Sequence, residues 1–167
     1  YYGMETGDDA TLKAVNKGVD GEQAVEAGRR VTASGMKLSM MIILGLAGAE
    51  GSERHALATA KAINIIKPTH LSALCLMLYR GSELLDQYEA GKFNPLSPAG
   101  LMRELKLIIE NIDLPADRHC LFRSNHVSNY VQLAATLPHD KQRLLRDIDY
   151  SIAQLSKLKS WDVYNYN

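Results

Sequence analysis

The side chains best suited to chemistry follow four short apolar runs, where the strands of an α/β sheet would end. Residues 5–9 (ETGDD) follow the first run, and the glycine-rich string 45–52 (GLAGAEGS) follows the second. Residues 79–82 (YRGS) follow the third, and residues 123–129 (RSNHVSN) follow the fourth. Because parallel α/β folds bind ligands at the carboxyl ends of their strands, these segments hold the candidate site.

These segments offer different binding chemistry. The carboxylate of Glu5 could accept hydrogen bonds from ribose hydroxyls or pair with an ammonium group, or it could be a solvated loop carboxylate. The glycine-rich string precedes a predicted helix, so it could cradle an anion or serve only the turn. His126, close to Ser124 and Asn129, is a candidate on the substrate side or a surface residue.

The chain has two cysteines, Cys75 and Cys120, each in an apolar neighbourhood. Neither belongs to a C-x-x-C or comparable cluster, so the sequence predicts no zinc or iron–sulfur ligands. We therefore expect two buried structural thiols and no metal site within this chain.

The elements that position these residues alternate between helix and strand. The apolar runs 37–46 and 69–79 predict strands buried on both faces of a parallel sheet. Residues 119–127 predict a further short strand, and residues 1–5 a first one. Five helices are predicted. The first covers residues 22–35, the second begins at a cap at Ser52 and ends before Pro68, and the third covers 81–93. The fourth has Ser97 as its cap and Pro98 at its first position, and the fifth lies within 138–158. About four strands are too few to close an eight-stranded barrel, which leaves an open sheet or a partial barrel.

Size and charge fit an ordinary globular domain. The chain has 167 residues, is 46% hydrophobic and balances 19 basic against 19 acidic residues. We therefore expect no attraction to nucleic acid or to acidic membranes from net charge. Residues 1–9 do not have the pattern of a signal peptide, and the sequence has no apolar run of the roughly 18 residues that cross a membrane. A cytoplasmic location is expected.

Several strings, in this order, resemble the second half of the radical S-adenosylmethionine (SAM) core. They are GMETGDDATLKAVNKG (3–18), GLAGAEG (45–51) and IKPTHLSALCLMLYRGSELLDQYEAGKF (66–93). The similarity is to oxygen-independent coproporphyrinogen oxidases and to elongator- or methylthiotransferase-like enzymes. It implies half of a TIM-like parallel β/α barrel over residues 1–115, a C-terminal extension with a strand and an amphipathic helix over 116–158, and a tail over 159–167.

The resemblance also implies a SAM site. Glu5 matches the position that contacts the ribose or amino-acid part, and Ile43 and Gly45 match the motif that lies against adenine. Ser39 would share the strand face of Ile43. Leu78 and Tyr79 match the position whose backbone meets the adenine edge.

The family's cysteine loop, C-x-x-x-C-x-x-C, is absent from this sequence. In the family a 4Fe–4S cluster reduces SAM to a 5′-deoxyadenosyl radical, which abstracts hydrogen from a substrate. Met41, Thr32 and Gly48 also depart from polar positions of the coproporphyrinogen-oxidase branch, so the substrate stays open. The resemblance therefore implies part of a radical SAM enzyme, inactive alone and binding SAM weakly or not at all.

Two other functions fit the residues. One is a small α/β protein that binds a phosphate or nucleotide at its glycine-rich string, and the other is an interaction domain without chemistry. The chain begins inside a predicted strand, which suggests a fragment whose first strand has an unpaired edge. We therefore expect it to self-associate, with a small-molecule cofactor as its other partner.

Overall fold

The computed structural model describes residues 1–157, which form five strands and six helices. The strands are β1 (Tyr2–Glu5), β2 (Ser39–Leu44), β3 (His70–Cys75), β4 (Cys120–Arg123) and β5 (Ala134–Leu137). The helices are α1 (Asp9–Ala14), α2 (Gly21–Ala33), α3 (Gly48–Ile66), α4 (Glu83–Glu89), α5 (Pro98–Asn111) and α6 (Lys141–Leu155). The predicted tail at 159–167, together with residue 158, lies outside the described residues.

The five strands form one sheet in the order β1-β2-β3-β4-β5. The first four run parallel, and β5 pairs antiparallel with β4. The predicted α/β fold, a partial TIM-like barrel with C-terminal helices, is confirmed. The sequence predicted about four strands and missed β5, whose residues AATL include two alanines, a residue depleted in strands. The sheet continues across the boundary predicted at residue 115, and that domain division stays a prediction.

Only one face of the central strands is fully buried. In β2, Met40, Ile42 and Leu44 are completely inaccessible and share a cluster with Ile63 of α3 and Leu105 of α5. The residues that alternate with them are half-buried, and the same alternation holds in β3. We call the half-buried set the open face; it comprises Ser39, Met41, Ile43, His70, Ser72 and Leu74. The prediction that both faces are buried was therefore wrong, because helices α3 and α5 pack against one face.

Most helix boundaries follow the sequence signals. Asp20 and Gln23 form a capping box at the start of α2, and Ser97 caps α5 with Pro98 at its first position. The Ser52 cap predicted for α3 was wrong. That helix begins at Gly48 without a side-chain cap, after a turn that the Gly48 N–H closes on the Gly45 carbonyl at 3.0 Å. The short helix α1 was not predicted.

No helix among residues 1–157 is long and apolar enough to span a membrane.

Candidate functional site

The carboxyl ends of β1 and β2 bring three of the six predicted SAM residues to one edge of the sheet. Glu5 is the last residue of β1 and lies opposite Ile42 in the parallel pair. Ile43 is therefore next to it in register, on the open face, and Gly45 follows the end of β2. The structure thus gathers Glu5, Ile43 and Gly45, while Ser39 lies on the same face at the opposite end of β2.

Glu5 has an unusual backbone. Its φ is +65°, in the left-handed region, and the register between β1 and β2 shifts at this point. Such a conformation costs a residue with a side chain about 1–2 kcal/mol. The carboxylate lies over Gly3, where any side chain would collide with it, and its Oε1 is 3.3 Å from Lys17 Nζ. A strained acidic residue at a strand end is typical of a functional position.

Gly45 is required on two grounds. Its φ is +81°, and a Cβ there would lie 2.7 Å from Leu101 Cδ2. Its backbone N–H donates to Glu104 Oε1 at 2.7 Å. The turn after β2 is therefore held from behind by helix α5.

Leu78 and Tyr79, the predicted SAM residues after β3, differ from each other in exposure. Leu78 is buried, whereas Tyr79 is half-exposed and its hydroxyl donates to Met77 Sδ at 3.3 Å. Their predicted contact with adenine uses backbone atoms and stays a prediction.

The sequence analysis missed a buried polar cluster behind this edge. Glu104 of α5 is almost completely buried, and burial raises its pKa to about 7. Its Oε2 accepts a hydrogen bond from the Ser52 hydroxyl at 2.5 Å, in addition to the bond from Gly45. A signal was present, since Glu104 falls within the apolar stripe that Leu101, Leu105 and Ile108 form on α5.

His55 of α3 is the second buried group. Its Nδ1 lies 2.7 Å from Thr6 Oγ1, and its Nε2 lies 3.5 Å from Glu104 Oε1 without forming a hydrogen bond. Burial lowers the pKa of His55 to about 4, so the ring is neutral near neutral pH. The contact with Glu104 is therefore not an ion pair under those conditions.

Asp8 joins the same cluster to α1. Its carboxylate accepts from the Thr11 N–H at 3.0 Å and from Arg54 Nε at 2.8 Å. Burial alone would raise the pKa of Asp8, but the hydrogen bonds from Arg54 and Thr11 outweigh that effect and lower it. The Asp8 N–H donates to Thr6 Oγ1 at 3.0 Å, so the cluster continues from Arg54 to Glu104.

The three residues predicted on the substrate side form hydrogen bonds within the protein. The Ser124 hydroxyl donates to the Val131 carbonyl at 2.9 Å. Asn129 Nδ2 donates to the Ala73 carbonyl at 3.0 Å, and its Oδ1 accepts from Cys75 Sγ at 3.3 Å. His126 is exposed, with Nδ1 2.9 Å from Ser128 Oγ. Their role towards a substrate stays a prediction.

The residues do not fit an iron–sulfur cluster. Both cysteines are buried and free, as predicted, and burial raises the pKa of each thiol to about 12. In the radical SAM family three cysteines of one C-x-x-x-C-x-x-C loop hold the cluster, whereas this sequence has two cysteines, far apart in the chain. Among residues 1–157 there is also no group of three His, Cys, Asp or Glu side chains that could hold a metal ion.

The glycine-rich turn has few amide groups left for a phosphate. Gly45 N–H donates to Glu104, Gly48 N–H to the Gly45 carbonyl, and Ala49 N–H to the Asn94 carbonyl at 2.8 Å. An anion at this turn would therefore compete with a carboxylate and two carbonyls of the protein itself.

Comparison with known proteins gives the fold. No sequence-family profile matches the chain, and neither does any curated protein. The structure is similar to that of Elp3 from the archaeon Methanocaldococcus infernus, in a form lacking residues 1–46, with a TM-score of 0.61 and 16% sequence identity. The match covers 94% of this chain and 36% of the Elp3 chain. At that identity the likeness shows the fold alone.

Proposed function

We propose that this chain forms the adenosine-facing wall of a SAM site within a radical SAM enzyme. Two independent lines support this. Its sequence strings resemble the branch of that superfamily that includes oxygen-independent coproporphyrinogen oxidases and elongator- or methylthiotransferase-like enzymes, and its fold is similar to part of Elp3, a radical SAM enzyme. The chain spans 36% of the length of that Elp3 chain, so the reaction and substrate of a whole enzyme are themselves proposals.

The observation that carries the proposal is the strained backbone of Glu5 beside Ile43 and Gly45. A carboxylate at this edge can accept hydrogen bonds from both ribose hydroxyls. Ile43 offers an apolar surface to the purine, and Gly45, without a side chain, lets the backbone approach it closely. Lys17, whose Nζ lies 3.3 Å from Glu5 Oε1, would orient that carboxylate.

The chain's own contribution is binding and orientation. The reducing cluster that cleaves SAM in this superfamily is held by three cysteines of one loop, and Cys75 and Cys120 do not form such a loop. No electron-transfer step is therefore assigned to these residues.

Calorimetry with SAM tests the proposal. We expect weak binding by the unmodified chain and about tenfold weaker binding by Glu5→Gln, because a charged acceptor is replaced by a neutral one. Glu22→Gln, an exposed change in the first turn of α2, is the matched control and should bind like the unmodified chain. Equal binding by the Glu5 variant would contradict the proposal.

A titration with inorganic phosphate distinguishes the SAM site from the alternative, a phosphate- or nucleotide-binding function. Phosphate binding that competes with SAM at the glycine-rich turn would favour the phosphate- or nucleotide-binding function instead. Because weak SAM binding is the result expected here, binding of neither ligand at millimolar concentration would contradict both binding functions and favour an interaction domain.

A further inference from the structure

We propose that Glu104 is a positioning residue for the adenosine site, acting through the backbone of Gly45. This inference rests on the proposed function for its effect on the ligand. The hold on Gly45 itself depends only on the hydrogen bonds within the chain.

The geometry links helix α5 to the turn after β2. Glu104 lies on α5, whose neighbouring side chains Leu105 and Ile108 are completely buried in the core. Its Oε1 accepts from the Gly45 N–H at 2.7 Å, and its Oε2 accepts from Ser52 on α3 at 2.5 Å. The carboxylate therefore joins α5, α3 and the turn after β2 at one point.

Thr6 and His55 lie beside Glu104 in the buried cluster. Thr6 Oγ1 accepts from the Asp8 N–H at 3.0 Å and lies 2.7 Å from His55 Nδ1, where a hydroxyl can either donate or accept. In the tautomer that carries the ring proton on Nε2, that proton faces Glu104 Oε1 at 3.5 Å. This tautomer favours the ionised, accepting form of Glu104.

The groups around Glu104 leave it as the one that titrates near neutral pH. On α3, Ser52 does not titrate in this range, and His55 is neutral because burial lowers its pKa to about 4. On β3, burial raises the pKa of the Cys75 thiol to about 12. Beyond His55, Asp8 and Arg54 pair with each other.

The charged neighbours on α5 itself, Arg103 and Lys106, have their hydrogen bonds with α6 and the residue after it.

Protonation of Glu104 should loosen its hold on the turn. The ionised carboxylate accepts from both Gly45 and Ser52, whereas protonation turns one oxygen into a donor and weakens acceptance at the other. The position of Gly45, and with it the adenine-facing backbone, should therefore change as this carboxyl titrates.

Nuclear magnetic resonance of the labelled chain tests the hold directly. We expect the Gly45 amide signals to shift between about pH 5 and about pH 9 with a midpoint near the pKa of Glu104, about 7. In Glu104→Gln the shift should vanish, because the amide oxygen still accepts but no longer titrates. Glu110→Gln, an exposed change on the same helix, should leave the titration intact.

A Gly45 signal that does not respond to pH, or one that still titrates in Glu104→Gln, would overturn the proposal. The same samples with added SAM test the ligand. We expect binding to weaken about threefold to tenfold as pH falls through that midpoint, and to lose this dependence in Glu104→Gln. If the Gly45 amide signal follows the titration of Glu104 but SAM shifts no signal near Gly45, the proposed function is contradicted, whereas the hydrogen bond from Gly45 to Glu104 is supported.

Discussion

Gly45 and Gly35 allow the cost of a side chain at the turn after β2 to be measured. Both have positive φ values, +81° and +83°, but only Gly45 has a close neighbour. We expect Gly35→Ala to lower the free energy of unfolding by about 1–2 kcal/mol from the backbone alone. Gly45→Ala should cost about 2–4 kcal/mol, since its Cβ also meets Leu101. Urea denaturation of both variants checks this, and equal losses would show that the contact with Leu101 relaxes freely.

His55 and Glu104 should contribute to stability with opposite pH dependence. The pKa of His55 falls from 6.5 to about 4 on folding, so its contribution is present above pH 6.5 and is lost as pH falls through about 4. The pKa of Glu104 rises from 4.5 to about 7, so its contribution is present below pH 4.5 and is lost as pH rises through about 7.

Single variants separate the two contributions. In Glu104→Gln the free energy of unfolding should rise between about pH 4 and pH 6.5, because the opposing shift of Glu104 is removed and the lowered pKa of His55 remains. In His55→Gln it should fall between about pH 4.5 and pH 7. Thermal unfolding across this range measures both slopes, and slopes of the same sign would contradict the assignment.

At the scale of elements, side chains form hydrogen bonds with backbone groups of β3 where β4 no longer pairs with it. Beyond the end of β4, Ser128 Oγ accepts from the Cys75 N–H at 3.1 Å, and Asn129 Nδ2 donates to the Ala73 carbonyl. We expect Asn129→Ala to destabilise the chain by about 1–2 kcal/mol, because a buried carbonyl loses its partner. Asn125→Ala, at an exposed position nearby, is the control and should change little. No loss of stability in urea denaturation would favour a purely substrate-side role for Asn129.

Sequence periodicity predicted most of these elements but not the way in which the sheet is covered. On the open face β2 carries Ser39 with two apolar residues, and β3 carries His70 and Ser72 with Leu74. The alternation was therefore only partly visible in the sequence, and the packing of α3 and α5 shows it in full. Ser52 looked like a helix cap because its residue type suits one. The glycine turn starts α3 earlier, and the hydroxyl bonds Glu104 instead.

Only those residues of the candidate site that directly end or follow a strand could be predicted from the sequence. Glu5 and Gly45 follow apolar runs, so their place at the sheet edge could be inferred from order alone. The pairing of Glu104 with Gly45 joins residues 59 positions apart and depends on how α5 packs across β2. Such a contact leaves only a weak trace, a carboxylate within an apolar stripe.

At the scale of the whole molecule, the open face and the edge strand favour self-association. β1 is the first strand of the sheet, and Met41, Ile43 and Leu74 are only half-buried on the open face. We predict that copies of this chain associate through this region. Light scattering after gel filtration should show a mass that rises with concentration, and Met41→Lys should reduce it. Met36→Lys, a control at an exposed position before β2, should not. A clean monomer at high concentration would contradict the prediction.

The most direct test of the adenosine site is a map of the amide signals that shift when SAM is added at millimolar concentration. Our account predicts that the largest shifts occur at Glu5, Ile43 and Gly45, at the carboxyl ends of β1 and β2. It also predicts that Glu5→Gln reduces all of them together. Shifts confined to the first turn of α3, or no shift near these strand ends, would contradict the account.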